Sequence, residues 1–241
     1  MAKPKVADLV KAAEKEWKKW GECTWNCITD KKSKTFHNDD ETKFAQYVID
    51  TYMPNFRTGK VKWPTVAAIS GDDYPWSAVT ISYFMTEAGF RKKKLLGENP
   101  KAKDYKDWVA ASAGDQFPIS EAHADYIRWA IRAKLDGIEA AAYWGRRVDK
   151  KEAVPEVGDL VAYVRGVKDM TKAKALKFYD ATSNYQSHSD LVVAVRSGEI
   201  DVIGGNVRDS VTRKTLRIDA KGLLTDTSHF WFAVLKNRLE A

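Results

Sequence analysis

Apolar residues recur at helical spacing in the first half of the chain. Within residues 6–20 they fall three and four positions apart, so they occupy one face of an amphipathic helix. A second helix is predicted over about residues 40–52, and Pro54 ends it because the residue before a proline disfavours helical conformation. The polar stretch 29–40 between these helices is predicted to form a loop.

A more apolar helix is predicted to follow the turn-rich segment SGDDYPWS, which ends at Ser77. Its buried face would carry Ile81, Phe84 and Met85, and Gly89 is suited to end the helix in a left-handed conformation. Ser77 is therefore expected at, or just inside, a helix N-terminus.

Residues 120–134 are predicted to form another helix, opened by Ser120 with His123 in its first turn. After Pro155 the pattern changes to short β-rich runs separated by glycine, aspartate and serine: GDLVAYVRG, SDLVVAVRSGEIDVIGGNV, SVTRKTLRID and FWFAVLKN. Helices thus precede strands along the chain. We expect an α+β fold in which N-terminal helices pack on a C-terminal antiparallel β-sheet.

The length of 241 residues, 44% of them hydrophobic, is sufficient for one sizeable core. A single domain over residues 1–241 is predicted, with a helical extension over 1–65 and an insertion of short helices over about 91–117. No run approaches about 18 consecutive apolar residues, and the N-terminus becomes charged too early for a signal peptide. We expect synthesis in the cytoplasm without a signal peptide, and no membrane span.

A net charge of +7 favours an anionic partner, such as an acidic wall polymer, a membrane surface or nucleic acid. The charge is spread along the chain and is accompanied by no zinc-finger spacing or RNA-binding aromatic motif, so a nucleic-acid partner is not expected. Cys23 and Cys27 fall short of the four ligands that a structural zinc needs. No metal or other cofactor is expected.

Ser77 has two interpretations. A serine at a helix start usually accepts a backbone hydrogen bond as an N-cap. The same place also suits a nucleophile, because the free N–H groups and the positive end of the helix dipole can stabilise an oxyanion.

His188 opens the strand HSDLVVAV and is the candidate base, with a plain polar strand-end residue as the alternative. A base needs a third group that orients its ring. Asp190 lies on the same face of the same strand, and Asn206 would lie on the neighbouring strand if Gly198 makes a hairpin. We favour Asn206 as the orienting residue and keep Asp190 as the alternative.

The order of these motifs resembles that of the CHAP-type and NlpC-type cell-wall amidases, in which an aromatic-Cys-Ala segment opens a helix. Here the segment is PWSA, followed by GDL, SHSD and IGGN. More closely, the chain resembles the bacterial family of domain of unknown function 2272 from about residue 75 to the end, through PWSA, HxxYI, GDL, SHxD and IGGN. The resemblance implies a papain-like fold.

The resemblance further implies a peptidoglycan amidase or peptidase. Ser77 would be its nucleophile, His188 its base, and Asn206 the residue that orients the base. The predicted substrate-binding residues are Trp76, His123 and Asp190. Trp76 also fits a core position, and His123 also fits the first turn of a capped helix.

The amidases carry cysteine where this chain has Ser77, and a serine hydroxyl depends wholly on base-assisted proton removal. Ser77 is a working nucleophile, part of a site that has lost catalysis, or a replacement that silences an enzyme. The alternatives to hydrolysis are a non-catalytic module that binds wall peptides or glycans, and acyl transfer on the same fold.

The expected biological setting is an antibacterial effector, a toxin delivered by a secretion machine, or a phage-encoded protein. Such a protein would act in the periplasm or cell wall after non-classical delivery. The expected partners are peptidoglycan or wall peptides, with a cognate immunity protein or a component of the secretion machine as further candidates.

Overall fold

The computed structural model describes residues 3–55, 63–71, 73–96 and 101–239. Parts of the predicted N-terminal extension (56–62) and of the predicted insertion (97–100) lie outside the described residues. The α-helices are α1 (Val6–Lys19), α2 (Thr42–Tyr47), α3 (Val66–Ser70), α4 (Ser77–Glu87), α5 (Ala102–Ala110), α6 (His123–Leu135) and α7 (Lys172–Leu176). A π-helical turn (Val48–Tyr52) and a 3₁₀ turn (Met53–Asn55) continue α2, and a second 3₁₀ turn (Lys177–Asp180) continues α7.

Strands of the described residues form one large sheet and one small one. The strands are β1 (Cys23–Asn26), β2 (Lys31–Lys32), β3 (Arg91–Lys92), β4 (Gln116–Phe117), β5 (Tyr143–Arg147), β6 (Leu160–Val164), β7 (Ser187–Arg196), β8 (Glu199–Val207), β9 (Ser210–Arg217) and β10 (Phe230–Asn237). The large sheet has the order β2-β1-β9-β8-β7-β6-β10-β5, and β3 pairs with β4. All neighbours in the large sheet are antiparallel except β1 and β9, which are parallel.

The α+β class is confirmed, and β6 to β10 correspond to the predicted C-terminal runs. Gly198, at a φ of +80°, lies in the turn that joins β7 to β8, as the hairpin interpretation required. The expectation that strands are confined to the C-terminal part is wrong, because β1, β2 and β5 also belong to the large sheet. These strands have two to five residues, too few to show an alternating pattern.

Helix α4 is central to the fold, because every residue from Ser77 to Met85 is buried. Burial on every side is typical of a helix enclosed by other elements. As predicted, α4 begins at Ser77 and ends before Gly89, whose φ is +88°. Gly205 on β8 lies so close to α4 that a Cβ there would be 2.0 Å from Oγ1 of Thr80, which explains the glycine.

Helix α6 begins three residues later than predicted, at His123. Ser120 precedes it and accepts a hydrogen bond from the backbone N–H of Ala122 (3.0 Å). Ser82 of α4 donates to the carbonyl of Ser120 (2.8 Å) and accepts from its N–H (3.0 Å). These two bonds hold the start of α6 beside α4.

Side chains of β7 alternate between the two faces of the sheet. Leu191 and Val193 join the large core that includes α4 and α6, whereas Val192 joins a second core with Val161 and Trp231. The same alternation separates Ser189 from its neighbours His188 and Asp190. This separation places two hydrogen-bonded clusters at the start of β7.

Candidate functional site

The first cluster joins the N-termini of two helices. Ser77 is the first residue of α4 and His123 is the first residue of α6. Oγ of Ser77 lies 2.8 Å from Nε2 of His123, and both residues are 5% exposed. This distance is within the range for a hydroxyl that donates to an imidazole nitrogen. The structure thus places a serine–histidine pair at the positive end of a helix dipole.

The other ring nitrogen of His123 contacts two hydroxyl groups. Nδ1 lies 3.1 Å from Oγ of Ser189 and in short contact with the hydroxyl of Tyr126, and these two hydroxyls are 2.9 Å apart. A histidine whose Nδ1 carries the proton donates to this hydroxyl pair and leaves Nε2 free to accept from Ser77. The surroundings are therefore compatible with the tautomer that a general base requires.

Burial lowers the pKa of His123 well below its ordinary value, and His188 and Arg165 lower it further, against an opposing effect of Asp190. The imidazole is consequently neutral near neutral pH. A neutral ring is the form that can take a proton from Ser77, although a lowered pKa also makes it a weaker base.

The second cluster is centred on His188. Nδ1 of this ring lies 3.1 Å from Nη1 of Arg165, and Nε2 lies 3.0 Å from Oδ1 of Asp190. A guanidinium only donates, so Nδ1 accepts and the proton on Nε2 is donated to Asp190. Burial, together with the charges of Arg165 and Lys214, outweighs Asp190 and lowers the pKa of His188 to about 4. Both nitrogens of His188 are engaged within the protein.

Asp190 also forms a buried ion pair with Lys214, whose Nζ lies 2.8 Å from Oδ2. Both side chains are fully buried. Burial opposes ionisation of Asp190, but Lys214 and His188 offset that effect and hold the pKa of the carboxyl below its ordinary value. Lys214 also donates to His229 (3.2 Å) and lies 3.4 Å from the hydroxyl of Tyr163.

Gly204 on β8 makes room for this arrangement. A Cβ at Gly204 would lie 1.9 Å from Oδ1 of Asp190 and 3.0 Å from Nε2 of His188. Any side chain there would displace the carboxylate from its histidine partner. The IGGN segment therefore supplies two glycines for two close approaches, Gly204 toward Asp190 and Gly205 toward Thr80.

The two clusters meet at their histidines. The ring centroids of His123 and His188 are 4.8 Å apart, with the planes tilted by 41°. Among the described residues, His123 is the histidine that hydrogen-bonds Ser77, and the structure shows no such bond from His188. The sequence-based assignment of His188 as the partner of Ser77 therefore differs from the geometry. The reason is that α6 places the ring of His123 next to Ser77 and beside the ring of His188.

The structure also shows the contacts of three further predicted residues, and for the orienting residue it agrees with the alternative, Asp190, rather than with Asn206. Asp190 orients His188, whereas Asn206, at a φ of +50°, accepts from Arg165 through its backbone oxygen (2.7 Å). Trp76 is fully buried and donates to Asp39 (2.7 Å), so it lies in the core rather than on a substrate-binding surface. Asp190 is equally inaccessible.

Sequence reasoning missed four residues of these clusters: Tyr126, Arg165, Ser189 and Lys214. Tyr126 was quoted within HxxYI, and its three-residue spacing from His123 puts both side chains on one helix face. Lys214 had a weaker signal: it lies two residues before Leu216 and therefore on the same buried face of β9. Arg165 follows a strand and carried no signal.

The described residues offer neither a metal site nor a membrane-spanning helix. The described part of the chain contains no group of three or more histidine, cysteine, aspartate or glutamate side chains arranged to hold a metal ion. None of its helices combines the length and apolar character needed to cross a membrane.

Comparison with known families assigns the chain to one of them. Residues 92–237 match the family described as an uncharacterized protein conserved in bacteria (DUF2272), and the chain belongs to that family. The matched range includes His123, His188, Asp190 and Lys214 and begins after Ser77. A search of curated proteins and a search of solved structures each found no match.

Proposed function

We propose that this protein is an amide hydrolase of papain-like fold, with Ser77 as nucleophile and His123 as general base. The observation that carries the proposal is the 2.8 Å contact between Oγ of Ser77 and Nε2 of His123 at the start of α4. A nucleophile and a base at this separation are the minimum needed for acyl transfer through a serine.

The chemical steps follow from this geometry. Nε2 of His123 takes the hydroxyl proton while Oγ of Ser77 attacks the amide carbon, and the carbonyl electron pair moves to oxygen. The first N–H groups of α4 have no acceptor within the helix and are available to the oxyanion. The C–N bond then breaks, and the amine leaves with the proton from Nε2. In the second half Nε2 takes a proton from water as the water oxygen attacks the ester carbon, the bond from that carbon to Oγ of Ser77 breaks, and the proton returns to Oγ.

His123 is held for these steps by neutral hydroxyls rather than by a carboxylate. Ser189 and the hydroxyl of Tyr126 fix the ring through Nδ1. A carboxylate would stabilise the imidazolium more strongly, so this arrangement supports slower turnover than an aspartate-oriented histidine. Burial keeps the pKa of His123 well below its ordinary value, and Asp190, on the neighbouring histidine, offsets part of that effect.

The proposed substrate class is peptide amide bonds of the bacterial wall. The resemblance to CHAP-type and NlpC-type amidases supports this class, and so does membership of a bacterial family. A net charge of +7 suits an acidic polymer as the surface on which the protein acts. An antibacterial effector or a phage-encoded protein that acts in the periplasm or wall, with an immunity protein or a secretion component as partner, is part of the same proposal.

The second candidate function is a non-catalytic module that binds wall peptides or glycans. It is favoured by the 5% exposure of Ser77, which leaves the hydroxyl little access to a bulky substrate in this conformation. In this alternative the clusters of His123 and His188 only stabilise the fold, and the positive net charge provides the affinity for the wall.

Digestion of purified sacculi, followed by mass spectrometry of the released fragments, tests hydrolysis. Ser77→Ala and His123→Gln should each reduce product formation by several orders of magnitude, since loss of a catalytic nucleophile or base has effects of that size. His188→Gln should retain measurable turnover, because His188 does not contact Ser77. Thermal unfolding of each variant reports whether the fold is intact.

Two results would contradict the proposal. If His188→Gln abolished turnover while His123→Gln retained it, His188 would be the base. If the unsubstituted protein bound sacculi but released no fragment, the binding module would replace the hydrolase.

A further inference from the structure

A cavity of about 350 Å³ lies beside the His188 cluster, since its lining includes Tyr163 and Arg165, which both contact His188. Its lining residues include four with rings, Trp25, Tyr163, His229 and Phe230, and two arginines, Arg165 and Arg208. The volume is at the lower end of the range for small-molecule sites, which corresponds to a group of about one amino-acid residue. None of the described residues that line the cavity is acidic.

Both arginines of the cavity are without a carboxylate partner within the described parts of the chain. Arg165 donates from Nη1 to His188 and to the backbone oxygen of Asn206. Arg208 donates to the backbone oxygens of Thr24 and Ser33 and to Sγ of Cys23. In contrast, Arg147, Arg196 and Arg213 each form ion pairs with aspartate side chains.

Two half-buried arginines beside one cavity attract an anion, because partial burial strips water from their charges and no carboxylate of the described residues pairs with them. The third cation nearby, Lys214, is already neutralised by Asp190. In the described structure Arg165 bonds through Nη1, so its remaining donors can bind a ligand without breaking the contacts to His188 and Asn206.

The geometry of guanidinium favours a planar anion. Its parallel N–H donors match the two oxygens of a carboxylate, and the aromatic walls suit the carbon skeleton attached to it. We propose that this cavity binds the carboxylate of an amino-acid-sized ligand or peptide end, held by Arg165 and Arg208 and flanked by Trp25 and His229. The site is independent of hydrolysis by Ser77, since none of these four residues contacts Ser77 in the structure.

Calorimetric titration with small probes tests the proposal on the full chain carrying Ser77→Ala, which prevents turnover. The probes are N-acetylalanine, its uncharged amide and inorganic phosphate. The carboxylate should bind at least about tenfold more tightly than the amide, since a charge-assisted hydrogen bond has an effect of that order.

Arg165→Gln and Arg208→Gln should each weaken carboxylate binding by about tenfold or more, and Arg208→Lys should restore part of it. Arg146→Gln is the matched control, because Arg146 is also half-buried without a carboxylate partner in the described structure but lies outside the cavity. It should leave binding unchanged.

Equal binding of the acid and the amide would overturn the proposal, as would the absence of binding at millimolar concentrations. Tighter binding of phosphate than of carboxylate would overturn the assignment of ligand class. Arg208→Gln is the more direct of the two tests, because Arg208, unlike Arg165, does not hydrogen-bond His188. If this variant keeps its affinity for the carboxylate and its fold by thermal unfolding, the proposal is overturned.

Discussion

Hydrogen-bond partners distinguish the two buried histidines more clearly than their positions in the sequence do. Arg165 can only donate, so it forces Nδ1 of His188 to accept and commits its Nε2 proton to Asp190. The hydroxyls beside His123 can donate or accept, which leaves its Nε2 available to Ser77. The chemistry of each ring is thus set by whether its neighbour is a fixed donor.

Removal of the positive charge of Lys214 should destabilise the protein strongly. Lys214→Met would leave the carboxylate of Asp190 fully buried without its cation, which typically costs about 3–5 kcal/mol of unfolding free energy. Adding Asp190→Asn should recover part of that loss by removing the uncompensated charge. Urea unfolding of the single and double variants measures both effects.

Lys43→Met provides the control for this comparison, since the pair of Lys43 with Glu41 is largely exposed and should contribute little. A loss in Lys214→Met no larger than in Lys43→Met would show that the buried pair does not stabilise the fold.

Some helices and strands of this protein could be predicted from the sequence, and others could not. Long periodic runs and turn glycines were sufficient for α4, β7 and β8, and for the hairpin at Gly198. The short strands β1 and β5 were not predictable, because they are held by distant partners, β9 and β10. The same reason applies to the site, since only the packing of α6 against α4 shows that His123 is the histidine beside Ser77.

The two glycines of IGGN are explained by close approaches of β8 to its neighbours. Gly205→Ala would place a methyl group 2.0 Å from Oγ1 and 2.4 Å from Cβ of the fully buried Thr80, so β8 and α4 would have to separate. Overpacking of this kind costs about 1–3 kcal/mol or more. Thermal unfolding should show a clearly lower midpoint.

Gly114→Ala is the matched control for that substitution. Its nearest contact would be 3.8 Å away, an ordinary van der Waals distance, so the midpoint should change little. Equal midpoints for the two variants would mean that the approach of β8 to α4 tolerates a methyl group.

At the scale of the whole molecule, charge should control binding to the wall. A net charge of +7 spread along the chain gives a long-range attraction that salt screens over about 8–10 Å near physiological ionic strength. If the partner is an anionic wall polymer, the fraction of protein that sediments with purified sacculi should fall steeply as salt rises. Binding that is independent of salt would instead indicate recognition by apolar contacts or by the cavity alone.

Acid should destabilise the whole molecule in a defined pH window. The pKa of His188 is lowered to about 4 in the folded protein, against an ordinary value of 6.5, so between these pH values the unfolded chain binds a proton that the folded chain does not. Stability from this group is therefore complete above about pH 6.5 and falls as the pH drops toward 4, by up to about 1.4 kcal/mol per pH unit. His123, with a pKa also well below its ordinary value, acts in the same direction.

Urea unfolding at pH 7, 6 and 5 measures this slope, and the variant His188→Gln isolates the contribution of one ring. The raised pKa values of buried Glu16 and Asp159 act in the opposite direction, but they are common to both proteins and cancel in the comparison. The variant should start less stable at pH 7, because Asp190 and Arg165 lose a partner, and should then lose less stability on acidification. Parallel slopes for the two proteins would show that His188 titrates normally in the folded state. The conclusion that its buried surroundings keep it neutral would then be wrong.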